Sequence, residues 1–344
     1  MTELAAMTTP PDTATEVARY LQHLGISEPR LDVLNAGCHN QVYLCENAQP
    51  AFPDKVVVRV PKCPEASHSI EANATYLENT PAPGVLHVGT LALSGAPVVV
   101  EEYVAGSPKD LHTLTNREIY SLAATVAGVH QRTSSCFSGT SGGAPNCSGS
   151  YADYLEAMVA ESVIDRLQNV DMTQHTEAAE AIAVGMQQLR HMITSQPGWF
   201  DAGDFSLLHH DLNPDNMLWT ADGSVRLIDW NTTFGDAADD LDYLITNNQL
   251  TPAFKATFFE AYCAAAGQSD TVARAPAYTL KNQLDDLVWI IDMQQRFPDD
   301  TRYDDAAYQR RLSALRDTLE NNPTANLLLR RHESADCLYN QQPQ

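Results

Sequence analysis

The sequence predicts an α+β protein of two lobes. The first lobe is an antiparallel sheet with one principal helix, and the second is mainly helical with a small β-hairpin. Two observations predict this. Short β-branched or alternating runs recur up to residue 104, and apolar positions follow helical spacing from residue 116 onward. The strand pattern gives way to a Gly-Ser-Pro sequence at residues 106–108, so we assign residues 1–104 to the first lobe and residues 105–344 to the second.

The first lobe begins with a predicted helix over residues 12–24, in which Thr13 and Glu16 form a capping box. Five strands are predicted at residues 31–34, 41–45, 55–60, 85–91 and 97–104, with a helix at residues 67–78. The third strand, KVVVRV, contains a charged Arg59 that needs a partner. These elements predict a five-stranded antiparallel sheet.

The residues with the clearest chemistry lie between residues 207 and 230. Asp211 is followed five residues later by Asn216, and Asp229 ends a nearby apolar strand. Two short strands at residues 217–219 and 225–228 form a hairpin that places the three side chains at one edge. Asp211 is suited to accept a hydroxyl proton, and Asn216 and Asp229 offer oxygen ligands to Mg²⁺. The spacing therefore predicts phosphoryl transfer.

This stretch resembles the catalytic segment of the aminoglycoside phosphotransferase and choline kinase superfamily. The superfamily pattern is H-x-D-x4-N followed by I-D-[FW], and His209, Asp211, Asn216 and Ile228-Asp229-Trp230 match it. Protein kinases have a similar arrangement of catalytic residues, but this chain has no Arg before Asp211, no Gly after Trp230 and no downstream Ala-Pro-Glu. The resemblance implies a protein-kinase-like fold, with MgATP between the lobes and a small-molecule hydroxyl as acceptor.

The resemblance also implies a nucleotide site in the first lobe. The loop from Gly37 to Asn40 resembles the superfamily's phosphate-covering loop, and an ordinary hairpin is the alternative. Arg59 resembles the basic strand residue that reaches the phosphates, with Glu71 as its partner; Lys62 is the alternative, and a plain structural ion pair is another.

Two further matches to the superfamily lie outside that loop and strand. The sequence Glu102-Tyr103-Val104 resembles the interlobe linker that holds the adenine. Asp240 matches the aspartate that opens a helix and braces the catalytic loop, although the helix dipole alone accounts for an acidic residue there.

The second lobe is predicted to be helical. Its helices are expected from residue 116, where Asn116 is the cap, and at residues 151–168, 173–194, 252–266, 276–297 and 304–320. His130 is expected to be a buried structural histidine. The Ser/Gly-rich segment 133–150 is either a surface loop or a lid over the acceptor.

One helix in the second lobe suggests an acceptor site. Asp285, Trp289 and Asp292 fall on one face, where an aromatic ring between two carboxylates is suited to an ammonium group. A tryptophan at the edge of the core with solvated acids is the alternative. The formal net charge of −23 also admits two explanations, a cationic acceptor or a salt-tolerant surface with only five lysines among its 21 basic residues.

Composition excludes several classes of partner. The acidic balance argues against nucleic acid and anionic membranes, and no apolar run approaches the roughly 20 residues of a membrane span. The first residues do not resemble a secretory signal, and seven cysteines without metal spacing favour reduced thiols in a cytoplasm, although Cys136 and Cys147 flank a loop and could pair. The sequence leaves the oligomeric state open. A catalytically silent nucleotide-binding module and a protein kinase remain the alternative functions.

Overall fold

The computed structural model describes residues 12–35, 40–46, 52–62, 76–137, 147, 149–195, 200, 204–267 and 270–321. The chain forms two compact units. Unit 1 consists of residues 1–129, 138–144 and 209–233, and unit 2 of residues 130–137, 145–208 and 234–344. The lobe boundary at residue 104 stays a prediction. Within the described residues, no helix combines the length and apolarity that a membrane span requires.

Unit 1 contains the predicted five-stranded antiparallel sheet. A helix precedes it, and the elements are α1 (Thr13–His23), β1 (Arg30–Asn35), β2 (Asn40–Glu46), β3 (Lys55–Pro61), β4 (Val85–Thr90) and β5 (Pro97–Glu102). The strand order is β1-β2-β3-β5-β4. The predicted helix at residues 67–78 lies largely outside the described residues. The α+β class and the antiparallel sheet are confirmed.

The two faces of this sheet differ in polarity because side chains alternate along each strand. Val56, Val58 and Val60 of β3 are buried in a core that includes Val17 and Leu21 of α1. Arg59 lies between these valines and therefore on the opposite face. The valine run thus buries one side of β3 and leaves the other side for a charged residue.

The start of α1 corrects one prediction. Asp12 is the N-cap, and its Oδ1 accepts from the backbone N–H of Thr15 at 2.7 Å. Glu16 is buried and accepts from the backbone N–H groups of Leu93 and Ser94, both at 3.0 Å. The predicted capping box is therefore wrong, because the carboxylate of Glu16 satisfies the turn between β4 and β5 instead of its own helix.

The rest of unit 1 holds the predicted hairpin. Its elements are β6 (Gly106–Ser107), α2 (Asn116–His130, whose last residue belongs to unit 2), β9 (Met217–Thr220) and β10 (Val225–Leu227). Strand β9 pairs with β10 and with β6, all antiparallel. Asn116 is the first residue of α2, not its cap. Thr115 and Glu118 form the capping box, in which the N–H of Thr115 donates to Glu118 at 2.8 Å and the N–H of Glu118 to the Thr115 hydroxyl at 3.4 Å.

Unit 2 is mainly helical. Its elements are β7 (Thr133–Ser134), α3 (Tyr151–Ala160, continued by a π turn over Glu161–Asp165 and a last turn over Arg166–Gln168), α4 (Thr176–Ser195), β8 (Phe205–Leu208), β11 (Thr233–Gly235, which begins in unit 1), α5 (Ala237–Asn247), α6 (Pro252–Ala266), α7 (Asp270–Arg296) and α8 (Asp305–Asn321). One continuous apolar core joins α3, α4, α7 and α8. Helix α7 begins at residue 270, so Pro276 lies inside it and not in its first turn as predicted.

A layer of buried polar residues joins α5 to α7. The carboxylate of Asp242 accepts from the Thr279 hydroxyl at 2.5 Å, from Asn282 at 3.1 Å and from the Thr246 hydroxyl at 3.1 Å. Lys281 contacts Asp239 at 3.0 Å. At the N-cap of α5, Asp236 pairs with Arg274. Helix α7 is therefore held against α5 by charge and hydrogen bonds as well as by apolar packing.

A disulfide corrects the expectation of reduced thiols for one pair. Cys136 and Cys147 are bonded, and Phe137, next to the first of them, is buried beside Tyr151 and Phe205. Cys45 and Cys263 are the free cysteines among the residues that the structure describes. The alternative prediction, a bond between Cys136 and Cys147, is therefore confirmed.

Candidate active site

The loop that follows β8 orients the carboxylate of Asp211 through two amides. Asn213 Nδ2 donates to Asp211 Oδ1 at 2.7 Å, and Asn216 Nδ2 donates to Asp211 Oδ2 at 2.8 Å and to its carbonyl oxygen at 3.0 Å. Asn213 Oδ1 in turn accepts the backbone N–H groups of Asp215 and Asn216 at 3.0 and 3.2 Å. Asp211 and Asn216, predicted as neighbours from their spacing, are in direct contact.

His209 ties this loop to the strand that precedes Asp229. Its Nδ1 accepts the backbone N–H of Asp211 at 3.2 Å, so its Nε2 carries the proton and donates to the carbonyl of Ile228 at 2.9 Å. The ring is fully buried, and its centroid lies 4.5 Å from that of Trp230. Sequence reasoning used His209 only as part of a motif and missed this role.

The residue before Asp229 is held on both sides of its backbone. The N–H of Ile228 donates to the carbonyl of Asn216 at 3.0 Å, while its own carbonyl accepts from His209. Asp229 follows with φ of 58°, and His210 has φ of 63°. Non-glycine residues seldom adopt this left-handed region, which costs on the order of 1–3 kcal/mol and is concentrated at functional sites. The surrounding hydrogen bonds hold both residues there.

Arg59 contacts Asp229, and its second partner is a residue that sequence reasoning did not select. Arg59 Nη1 lies 2.5 Å from Asp229 Oδ1, and Nη2 lies 3.4 Å from Glu101 Oε2. Burial lowers the pKa of Arg59, but the charges of Glu101 and Asp229 outweigh burial and raise the pKa above its ordinary value. The predicted partner, Glu71, lies outside the described residues. The alternation of β5 could have indicated that Glu101 lies on the face opposite the buried Val98 and Val100, but only the register of β3 and β5 makes it a neighbour of Arg59.

The other predicted nucleotide residues lie along the same sheet. Asn40 begins β2 opposite Pro61, whereas Gly37 lies outside the described residues. Glu102 ends β5, and its carboxylate accepts the N–H of Gly84 at 3.1 Å. Strand β5 stops there, so Tyr103 and Val104 follow it outside the strand, two residues earlier than predicted. Their roles stay predictions.

Each residue of the predicted acceptor face has a partner within unit 2. Asp285 accepts from the Ser162 hydroxyl at 2.6 Å and lies 3.8 Å from Lys281. Asp292 pairs with Arg296 at 2.7 Å, and the Arg311 guanidinium lies 5.9 Å from the centroid of the Trp289 ring. The face therefore already binds cations, and these belong to the chain itself. Its role toward an acceptor stays a prediction.

His130, expected to be structural, and Asp240, matched to the superfamily, both have clear structural contacts. His130 is buried, and its ring nitrogens lie 2.9 Å from the Tyr262 hydroxyl and 3.3 Å from Asp240. Asp240 lies in the first turn of α5, whose N-cap is Asp236. The predicted structural role of His130 agrees with these contacts.

Asp211 is hydrogen-bonded to Asn216, and Asp229 follows the hairpin and pairs with a basic residue of the antiparallel sheet. This combination of residues is the arrangement of kinase-like phosphotransferases. Residues 30–278 match the family described as "Phosphotransferase enzyme family". The chain belongs to this family. No curated protein sequence matches the chain significantly.

Solved structures show the same fold. The aminoglycoside phosphotransferase APH(4)-Ia is 19% identical, with a TM-score of 0.62 over 89% of this chain and 99% of that one. The choline kinase LicA from Streptococcus pneumoniae is 18% identical, with a TM-score of 0.60 over 89% and 100% of the two chains. A Plasmodium vivax ethanolamine kinase is 11% identical, with a TM-score of 0.58 over 87% and 83%. The kinase-like fold is confirmed.

Proposed function

We propose that this phosphotransferase transfers the γ-phosphate of ATP to a hydroxyl group of a small molecule. The observation that carries the proposal is the linkage within unit 1 of Asp211, Asn216 and Asp229, with Arg59 paired to Asp229. An aspartate near the acceptor, two oxygen ligands for a metal and a cation for phosphate charge are the parts that such a reaction needs. Every one of these polar positions is filled.

Each residue has a distinct part in the proposal. Asp211 orients the acceptor hydroxyl and takes its proton, and its amide partners fix where that carboxylate is held. Arg59 neutralises phosphate charge. The loop containing Gly37 and Asn40 covers the phosphates, Glu71 assists Arg59, and the backbone of residues 102–104 holds the adenine.

The residues present fit Mg²⁺. Asn216 gives its amide nitrogen to Asp211, so its amide oxygen is the atom available to a cation, and the carboxylate of Asp229 is about half exposed, at 48%. Mg²⁺ prefers one or two such oxygen ligands together with phosphate oxygens and water. Across the described ranges, no group of three or more His, Cys, Asp or Glu side chains is placed to hold a metal ion. When bound, the ion would neutralise charge on the phosphates.

For the acceptor we propose a small molecule that carries an amine, such as an aminoglycoside, choline, ethanolamine, thiamine or homoserine. The support is the net charge of −23 and the substrates named for the similar structures, which include hygromycin B, choline and ethanolamine. The face of Asp285, Trp289 and Asp292 is our proposed ammonium site, in which the ammonium replaces the chain's own cations. An amine-free sugar as the preferred acceptor would overturn this part.

We propose the cytoplasm as the compartment because MgATP is available there. The bond between Cys136 and Cys147 is more typical of oxidising compartments, where disulfides persist. Determining the redox state of this pair in protein taken directly from cells tests the proposed compartment. A pair found oxidised in every sample would argue against it.

The test of function is a panel of hydroxyl compounds incubated with ATP and Mg²⁺, in which ADP and phosphorylated product are both measured. Asp211→Asn should reduce kcat by at least about 100-fold with ATP affinity little changed, as expected for loss of a general base. Asp215→Asn, on the exposed side of the same loop, is the matched control and should retain activity.

The panel also separates the alternatives. Nucleotide binding without product from any acceptor would identify a catalytically silent module, and phosphorylation of protein mixtures alone would identify a protein kinase. For a cationic acceptor, KM should rise between about 0.1 and 1 M salt, because the screening length falls from about 10 to 3 Å. KM for ATP need not change.

A further inference from the structure

Arg59 lies between two carboxylates that differ in exposure. It uses separate nitrogens for them, Nη1 for Asp229 at 2.5 Å and Nη2 for Glu101 at 3.4 Å. The side chains of Arg59 and Glu101 are 13% and 14% exposed, whereas that of Asp229 is 48% exposed. Asp229 is thus the partner that solvent and ions can reach, and Glu101 is the enclosed one.

The position of Glu101 follows from the register of the sheet. Strand β3 pairs with β5 so that Val57 lies opposite Glu101 and Arg59 lies opposite Val99. Directly opposed residues share a face, and so do residues two apart on one strand. Glu101 and Arg59 are therefore diagonal neighbours on the face opposite the valine core, and their pairing is built into the backbone register.

A largely buried guanidinium cannot lose both partners without a large penalty. The proposed function requires Asp229 to bind Mg²⁺, and a carboxylate oxygen engaged with Arg59 is not fully available to a metal. Arg59 and Mg²⁺ therefore compete for Asp229. When Mg²⁺ displaces Arg59 from Asp229, Glu101 is the remaining carboxylate partner of Arg59 among the described residues.

We propose that Glu101 is the positioning residue for Arg59, and that by holding the guanidinium it lowers the Mg²⁺ concentration at which Asp229 is released to the metal. This rests on the proposed MgATP site and adds a regulatory contact to it. Without Glu101, Asp229 is the carboxylate partner that Arg59 keeps among the described residues, and Arg59 binds it more tightly. Without Arg59, no ion-pair partner within the described ranges competes with Mg²⁺ for Asp229.

The experiment measures the affinity of the full chain for the non-hydrolysable analogue AMP-PNP by calorimetry across a Mg²⁺ series. The Mg²⁺ midpoint is the Mg²⁺ concentration at which the increase in AMP-PNP affinity is half-maximal. Glu101→Gln should raise this midpoint by at least about fivefold, the lower end of ordinary coupling between sites. Arg59→Gln should lower it, while weakening nucleotide binding overall. These opposite directions distinguish competition from general loss of structure.

Glu46→Gln is the matched control because it also removes a carboxylate partner of a basic residue on β3. Glu46 pairs with Lys55 at 2.6 Å, and their side chains are 39% and 45% exposed. This variant should leave the Mg²⁺ midpoint unchanged. If Glu101→Gln does not fold, the double variant with Arg59→Gln removes both charges of the pair, and its midpoint should equal that of Arg59→Gln alone.

The outcomes are separable. A wild-type chain that binds AMP-PNP without any effect of Mg²⁺ overturns the proposed function and this inference with it. Mg²⁺-dependent binding in the wild type, with a Glu101→Gln midpoint no different from that of Glu46→Gln, overturns the inference alone. An Arg59→Gln midpoint at or above the wild-type value also overturns it.

Discussion

Asp242 offers a quantitative test of the buried layer between α5 and α7. Burial raises the pKa of its carboxyl from 3.8 to about 6, and hydrogen bonds from Thr279, Asn282 and Thr246 offset only part of that effect. The folded state therefore holds this proton more tightly than the unfolded state. The contribution to stability is complete below pH 3.8 and is lost as the pH rises to about 6.

The magnitude follows from the same values. At about 1.4 kcal/mol for each pH unit, the rise from 3.8 to about 6 corresponds to about 3 kcal/mol lost above pH 6. Asn fits the site in place of Asp242, because its oxygen can accept from Asn282 and Thr246. Its nitrogen can donate to Thr279, whose hydroxyl can then donate to the carbonyl of Ala275, 3.2 Å away. Asp242→Asn should therefore stabilise the protein at neutral pH.

The assay is urea unfolding of both proteins, followed by far-ultraviolet circular dichroism at several pH values. The stability advantage of Asp242→Asn should grow by about 2 kcal/mol between about pH 4.5 and 7.5, since part of the loss has already occurred at the lower pH. Asp317→Asn, on the exposed side of α8, is the control and should show no such trend. An advantage that is constant with pH, or a variant less stable at neutral pH, would refute the reasoning.

Three further perturbations test other contacts. His209→Ala leaves two backbone groups without their ring partner. It should lower the free energy of unfolding by about 1–3 kcal/mol for each group and kcat by at least tenfold. Unfolding midpoints and kcat values equal to those of the wild type would show that the ring does not hold the two segments together. Cys136→Ser opens a bond across a sequence separation of 11 and should lower stability by about 3 kcal/mol in urea, whereas an unchanged midpoint would contradict this. Gly89→Ala should destabilise the protein strongly because the added carbon overlaps the Tyr20 hydroxyl, and adding Tyr20→Phe should recover much of the lost stability. Additive changes in unfolding free energy would mean that the two side chains are not in contact.

The sequence was sufficient for features that depend on local order. The β-branched composition of β3 predicted a buried strand, and the five-residue spacing of Asp211 and Asn216 predicted their proximity because a short loop leaves few alternatives. The match to a family motif then supplied the fold. These predictions needed no knowledge of which distant elements meet.

Features that depend on tertiary register were not predictable in the same way. Glu101 becomes a partner of Arg59 only once β3 and β5 pair in one particular register, and 42 residues separate the two. Glu16 was assigned to its own helix because a capping box is a local pattern, whereas the turn that it satisfies lies 77 residues away. The Cys136–Cys147 bond was only one of several pairings that cysteine counting allows.

The first and last described helices, α1 and α8, lie outside the region that the family match covers, yet both are part of the folded cores. The family match covers residues 30–278, yet Val17 and Leu21 of α1 are fully enclosed in the core of unit 1, and Leu312 and Leu315 of α8 are enclosed in that of unit 2. A fragment trimmed to the shared region would keep every proposed catalytic residue and expose the apolar side of the sheet. The family match thus contains the proposed catalytic residues, whereas the apolar cores that hold the fold together extend beyond it at both ends.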